Sequence, residues 1–318
     1  MANQTYINAR CKALENRLLT TKKLHQIIDS SDTDSAIKLL NETKFFESKV
    51  ENIFEIENHL EQKKQQFFDL LKSFSLEDDV KEFFMLPIDF FNAEVLLLSK
   101  KQQNEKIEDL ATCNGLVTVE YLKHCIKTQV YQGLPQKLSK VLERIEKEDI
   151  AESDISNVFK TELYQSLKVK DKYFQKIIDT KIDLINIETA FRAKNFDEFE
   201  KQRIKAGTLD DKFFSDLLKF DKKIMIKYKN HYLYKEVEHI LDNMESKDYL
   251  TDIENKIASV PLKVLDSNKY DSTGKLPFMF YAFRLYANID NLRIIFVSLA
   301  NGLDKQETKR RLRWNYEG

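Results

Sequence analysis

Three observations predict an all-α fold: chain breakers are scarce, apolar residues recur at helical spacing, and no stretch alternates polar with apolar residues. The 318 residues include 6 Gly and 4 Pro, so about one residue in thirty favours a turn, roughly a quarter of average usage. The abundant Leu, Ile, Lys and Glu favour helix. A hydrophobic fraction of 42%, with 22 Phe and 13 Tyr, supplies a core. With a net charge of −1, this composition is not that of a disordered chain. The length suits one large domain or two to three units of about 100–150 residues.

The first predicted helix covers about 6–30, with Ile7, Cys11, Leu14, Leu18, Leu19 and Ile27 largely on one face. Ser30-Ser31-Asp32 ends it and caps a second helix that runs through Ala36, Leu39 and Leu40 to Phe45-Phe46. A long helix is expected over about 48–73, and Ser75 with Asp78 forms a loose capping box for its neighbour. Pro87 is read as opening a helix at about 88–104, where its missing N–H has no bond to lose. Asn114-Gly115 is the clearest turn of this half.

Beyond that turn, Val119, Leu122, Cys125 and Ile126 stripe a helix over 117–128. Helices come next at about 135–147, 152–168 and 170–194. In the last, Phe174, Ile177, Ile178, Ile182 and Ile185 hold an apolar face. Gly207-Thr208 opens a third stretch, with helices over Phe213–Phe220, near Tyr228–Tyr234 and at about 247–259. Pro261 and the Asp271–Gly274 loop lead to a helix over about 277–300 that Asn301-Gly302 ends. A basic helix closes the sequence. The turns divide the chain into three similar helical subdomains: 1–115, 116–206 and 207–318.

A short pattern repeats three times: Asp89-Phe-Phe-Asn92-Ala-Glu94, Asp183-Leu-Ile-Asn186-Ile-Glu188 and Asn288-Ile-Asp-Asn291-Leu-Arg293. The intervals between the Asn residues are 186 − 92 = 94 and 291 − 186 = 105. Repeats of this length exclude the common helical solenoids, which run at about 34 residues. Positions three apart share a helix face. A polar pair within an apolar stretch must reach solvent or find hydrogen-bond partners.

Motifs of chemistry are weak. The acidic run Glu77-Asp78-Asp79 lacks a matching second motif for a metal-dependent helical enzyme, and acids suit a helix start. His25, His59, His124, His231 and His239 form no metal-ligand pattern. There is no Gly-rich phosphate loop and no nucleophile signature. The sequence therefore predicts no catalytic residue, cofactor or metal. Charge balance, with 51 basic and 52 acidic residues, argues against a nucleic-acid partner. No run reaches the ~18–20 apolar residues of a membrane span, the start is unlike a signal peptide, and Cys11, Cys113 and Cys125 suggest no disulfide framework. A cytoplasmic chain is expected. The densest basic cluster is Lys309-Arg310-Arg311-Leu312-Arg313-Trp314, read either as helix-end capping or as a docking patch for an acidic partner.

The opening Tyr6-Ile-Asn8-Ala9-Arg10, with Ala13-Leu14-Glu15 and Arg17-Leu18-Leu19 after it, resembles the N-terminal helix of the C-type subunit of the prokaryotic V-type (A/V-type) ATPases, the counterpart of the eukaryotic d-type subunit. The stretch Ala36–Phe46 and the run Tyr286-Ala-Asn288-Ile-Asp-Asn291-Leu292-Arg293 resemble later segments of that family. One departure is Asn288, where the family often has an acid, so a different local pairing is expected there. The resemblance implies a pseudo-threefold funnel without catalytic activity of its own. It would be a rotor socket between the central stalk (shaft) subunits and the membrane rotor ring of proteolipid subunits, one copy per complex and monomeric when isolated. It would lie peripherally on the cytoplasmic membrane face. Asn92, Asn186, Asn291 and Arg293 would then organise the subdomains or line the funnel, and Arg310, Arg311 and Arg313 would contact a partner. The rival reading is a soluble helical-repeat adaptor unrelated to rotary motors.

Overall fold

The computed structural model describes residues 4–243 and 249–314, and among these there are helices and turns but no strand. The chain divides into two compact units, residues 1–75 with 228–318, and residues 76–227. The first unit begins with α1 (Gln4–Glu15), α2 (Thr21–Ile28), α3 (Thr33–Asn41) and α4 (Ile56–Ser73). The second contains α5 (Asp78–Gln102), α6 (Val119–Thr128), α7 (Gln136–Lys147), α8 (Glu152–Ser166), α9 (Lys172–Arg192), α10 (Phe196–Gln202), α11 (Asp211–Leu217) and α12 (Lys222–Met225). The chain then returns to the first unit with α13 (Tyr234–Asp242), α14 (Tyr249–Leu265), α15 (Leu276–Ala300) and α16 (Lys305–Arg311).

α15 is the hub of the first unit, packing against α1, α2, α3, α4, α14 and α16. Phe278, Met279, Phe280, Leu285, Leu292 and Ile295 are buried around its circumference, as expected of a helix enclosed by others. Phe67 of α4 lies 5.4 Å edge-on to Tyr286 and 6.3 Å from Phe278. In the second unit α5 packs against α6 and α8, α7 against α8, and α9 against α10 and α11. Phe83 and Phe84 of α5 meet Phe174 of α9 at 4.8 and 6.0 Å. No helix of the described residues is long and apolar enough to cross a membrane.

Several boundaries differ from the sequence expectation. The first helix is two, because Thr20 caps the Lys23 N–H and starts α2 afresh. Leu18 and Leu19 are buried in the turn between them, which preserves the apolar pattern across the break. The expected helix over 48–73 starts at Ile56, after a 3-10 turn Ile53–Glu55 that Asn52 caps. Ser75 does not cap α5, whose first turn instead carries Asp78 and Asp79. Pro87 and Pro261 lie inside α5 and α14 and do not bound them. An internal Pro costs about 3 kcal/mol, but burying Phe84, Met85, Leu86 and Phe90 around Pro87 returns about 1.5–3 kcal/mol each. Of the helix expected over 247–259, residues 247 and 248 lie outside the described part. α10 has no counterpart in the sequence expectation. α7, α8 and α9 start within two residues of it.

Candidate functional site

Asn92, Asn186 and Asn291 perform the same task on three long helices. Asn92 of α5 donates from Nδ2 to the Thr112 carbonyl at 2.8 Å, and its Oδ1 accepts from the Thr112 N–H at 2.9 Å. Asn186 of α9 holds Ile204 in the same way, at 2.9 and 2.8 Å. Asn291 of α15 holds Arg313, at 3.1 and 2.6 Å. The side-chain amide carries one donor and one acceptor side by side, like a peptide group, so it closes a two-bond ring with a single residue's backbone. The Asn side chains are at most 1% exposed, so they fasten the chain and present nothing at a surface.

The polar residue one turn earlier binds a second point. Asp89 Oδ2 accepts from the Leu116 N–H at 3.0 Å and Oδ1 from the Val117 N–H at 3.1 Å. Asp183 Oδ1 accepts from the Thr208 and Leu209 N–H groups at 2.8 and 3.2 Å, and Oδ2 from the Thr208 hydroxyl at 2.5 Å. Each of these points directly precedes a helix cap. Thr118 caps the Tyr121 N–H of α6, and Asp210 caps the Phe213 N–H of α11. Pinning the chain just before the cap fixes where the next helix begins.

At the third copy the second point lies 269 residues away in sequence, at Leu19. Asn288 Oδ1 accepts from the Leu19 N–H at 2.6 Å, and its Nδ2 donates to the Leu19 carbonyl at 3.3 Å. Leu19 directly precedes Thr20, the cap of α2, so the position matches the other two. The pairing does change as the missing acid suggested: two accepted N–H bonds become one accepted and one donated.

Two glycines explain why the carboxylates fit. A β-carbon on Gly115 would lie 2.0 Å from Asp89 Oδ1, and one on Gly207 would lie 2.3 Å from Asp183 Oδ1. Each glycine stands three residues before its helix cap, where the third copy has Arg17. Burial pushes the Asp89 carboxyl up to about 6, opposed by its bonds from Val117 and Leu116.

The remaining candidate residues sit nearby. Arg293 forks onto Glu57 of α4, with Nε–Oε2 at 3.0 Å and Nη2–Oε1 at 2.6 Å, and reaches Glu61 at 3.3 Å. The guanidinium bonds hold the Glu57 carboxyl below its usual range. Arg310 pairs with Glu307 at 2.9 Å and with Asp252 of α14 at 3.4 Å. Arg311 pairs with Glu307 at 2.7 Å, and bonds from the two arginines hold Glu307 down at about 2. The Arg313 guanidinium bonds to Asn255, while its peptide sits in the Asn291 clamp. The acidic run starts α5, and Asp79 accepts from the Lys170 N–H at 2.9 Å.

Sequence reasoning found the polar helix positions and missed their partners. Those partners are backbone groups, which leave no side-chain signature. The spacing from Asp to Gly, 115 − 89 = 26 and 207 − 183 = 24, is the signal that could have linked them.

Nothing in this arrangement supplies a nucleophile or a proton-transfer pair. Among the described residues, no group of three His, Cys, Asp or Glu side chains could hold a metal ion. A polar cavity of about 760 Å³ in the second unit is lined by Arg144, Glu162, Glu200 and Arg203. Two of its charged pairs are Arg144 with Glu162 at 2.6 Å and Arg203 with Glu200 at 2.5 Å.

A search of curated proteins returned no match. The family model described as ATP synthase (C/AC39) subunit matches residues 7–311, nearly the whole chain. The all-helical fold agrees with that family. The chain belongs to the ATP synthase (C/AC39) subunit family, whose members are accessory subunits of V/A-type ATPase complexes, distinct from the catalytic one.

Proposed function

We propose that the chain is the rotor socket of a V-type ATPase, joining the central stalk shaft to the membrane rotor ring of proteolipid subunits. Torque from ATP hydrolysis elsewhere in the complex would pass through it to drive ion transport. The socket would sit on the cytoplasmic face of the membrane, held there by its partners.

The observation that carries this reading is the order of the clamps. Take the three proposed subdomains as residues 1–115, 116–206 and 207–318. Asp89 then ties the first to the second at Val117, Asp183 ties the second to the third at Leu209, and Asn288 ties the third back to the first at Leu19. A cycle of three equivalent fastenings suits the pseudo-threefold funnel that a rotating shaft would seat in. The fastening side chains are buried, and hydrogen bonds shielded on one side from water resist shear better than fully exposed pairs, because water replaces a broken partner less readily. Arg310 and Arg311 are half-exposed and with Arg313 form the basic patch proposed to meet a partner.

The test is affinity purification of the tagged chain from detergent-solubilised membranes. Recovery of ring and stalk subunits is the expected result, and a purely soluble partner set would sink the proposal. Charge reversal at Arg310 and Arg311 should weaken binding to purified stalk, and unchanged affinity at moderate salt would remove them from that interface.

A further inference from the structure

The three clamps hold the same backbone geometry, yet the chain takes a different course after each. After Thr112 it enters α6, which buries Leu122, Cys125 and Ile126. After Ile204 it enters α11, which buries Phe213, Phe214 and Leu217. At the third copy, by contrast, the clamped Arg313 comes after α16, and from Leu303 to Trp314 the one buried side chain is Thr308. α16 has seven residues, too short to be stable without its surroundings.

Polar contacts fasten this segment within its unit. Lys305 Nζ donates to the Ser30 carbonyl at 2.7 Å, and Lys309 pairs with Asp29 at 2.7 Å. Arg310 reaches Asp252 at 3.4 Å. The Trp314 N–H donates to Ser259 Oγ at 3.0 Å, beside the Asn291 clamp on Arg313. The pairs to Asp29 and Asp252 are partly exposed, and such pairs weaken as salt screens them.

We propose that residues 303–314 form a salt-labile strap that opens while the rest of its unit stays folded. In the closed state Arg310 and Arg311 are engaged by Glu307 and Asp252. Opening breaks the Asp29 and Asp252 pairs, releases Lys305 from Ser30, Arg313 from Asn291 and Trp314 from Ser259, and carries the arginines away from α14 as a cationic arm. Ionic strength, or an anionic surface competing for these side chains, therefore sets the open population. The strap does not depend on the socket reading, since its opening is defined by contacts within this chain.

Hydrogen exchange of the full chain, read by mass spectrometry at about 0.05 and about 0.5 M KCl, tests this directly. Peptides covering 305–314 should exchange about fivefold faster at high salt, the effect of losing two exposed ion pairs. Those covering 110–117 and 202–209 should not change. The double variant Lys309→Gln with Arg310→Gln should exchange fast at both salt concentrations, with an unaltered melting temperature showing that the fold is intact. Equal salt response in all three regions, or none in 305–314, overturns the strap. So does a double variant with wild-type exchange.

Discussion

Asp89 and Gly115 are in contact so close that the glycine's missing side chain is part of the carboxylate's site: a β-carbon there would stand 2.0 Å from Oδ1. Gly207 has the same relation to Asp183, at 2.3 Å, and also a φ of +96°. Gly115→Ala should therefore lower stability by about 2–3 kcal/mol and Gly207→Ala by about 3–4 kcal/mol, clash and strained backbone adding in the second. Gly302, with φ +63° and nothing within 4 Å, should lose only about 1 kcal/mol as Ala. Urea unfolding of the three variants gives the order, and a Gly302 variant as damaged as the other two would contradict it.

The ring that Asn186 closes with Ile204 needs a donor and an acceptor on one side chain. Asn186→Asp keeps the shape and removes the donor, leaving a carboxylate against a buried carbonyl. The expected loss is about 2–4 kcal/mol, with the same order for Asn92→Asp. Denaturation midpoints at neutral pH measure it. A change below about 1 kcal/mol at both sites would show that the clamps contribute little.

The Asp89 carboxyl is raised to about 6 from an ordinary value of 3.8. The folded state therefore binds this proton more tightly than the unfolded chain does. The resulting stabilisation is full below about pH 4 and is lost as pH rises through about 6. Asp89→Asn should flatten that portion of the stability profile, whatever its effect on the absolute level. Urea midpoints between about pH 4 and pH 7 report the slope, and an unchanged slope in the variant would rule out Asp89 as its source.

Glu57 is displaced the other way by its bonds from Arg293. Its contribution is present above the ordinary glutamate range and disappears as pH falls through the depressed value. Both partners are partly exposed, so a double-mutant cycle with Glu57→Gln and Arg293→Gln should give a coupling of about 0.5–1 kcal/mol near neutral pH. The coupling should vanish in acid; a value that persists there would assign it to packing.

Legibility tracked the reach of the interactions. α9 is readable from sequence because Asp171 caps it and its apolar face repeats regularly. The break between α1 and α2 is hidden because Leu18 and Leu19 are buried in the turn and continue the pattern of the flanking helices. Pro87 and Pro261 mislead for the opposite reason, as burial from distant segments outweighs a local penalty. At the clamps, Asp89, Asn92, Asp183, Asn186, Asn288 and Asn291 stand out as polar residues in apolar runs. Thr112, Ile204 and Arg313 are invisible, since it is their peptide group that is gripped and any residue type offers one.

The span from Leu19 to Asn288 also sets an order of events during synthesis. Residues 76–227 contain every partner of the first two clamps, so that unit can reach its native contacts while the chain is still emerging. Residues 1–75 must wait until α15 has been made, since α15 is the helix they pack on. In the interval the faces of α1 to α4 that pack on α15 are without that cover, and this early segment is where non-native association would begin.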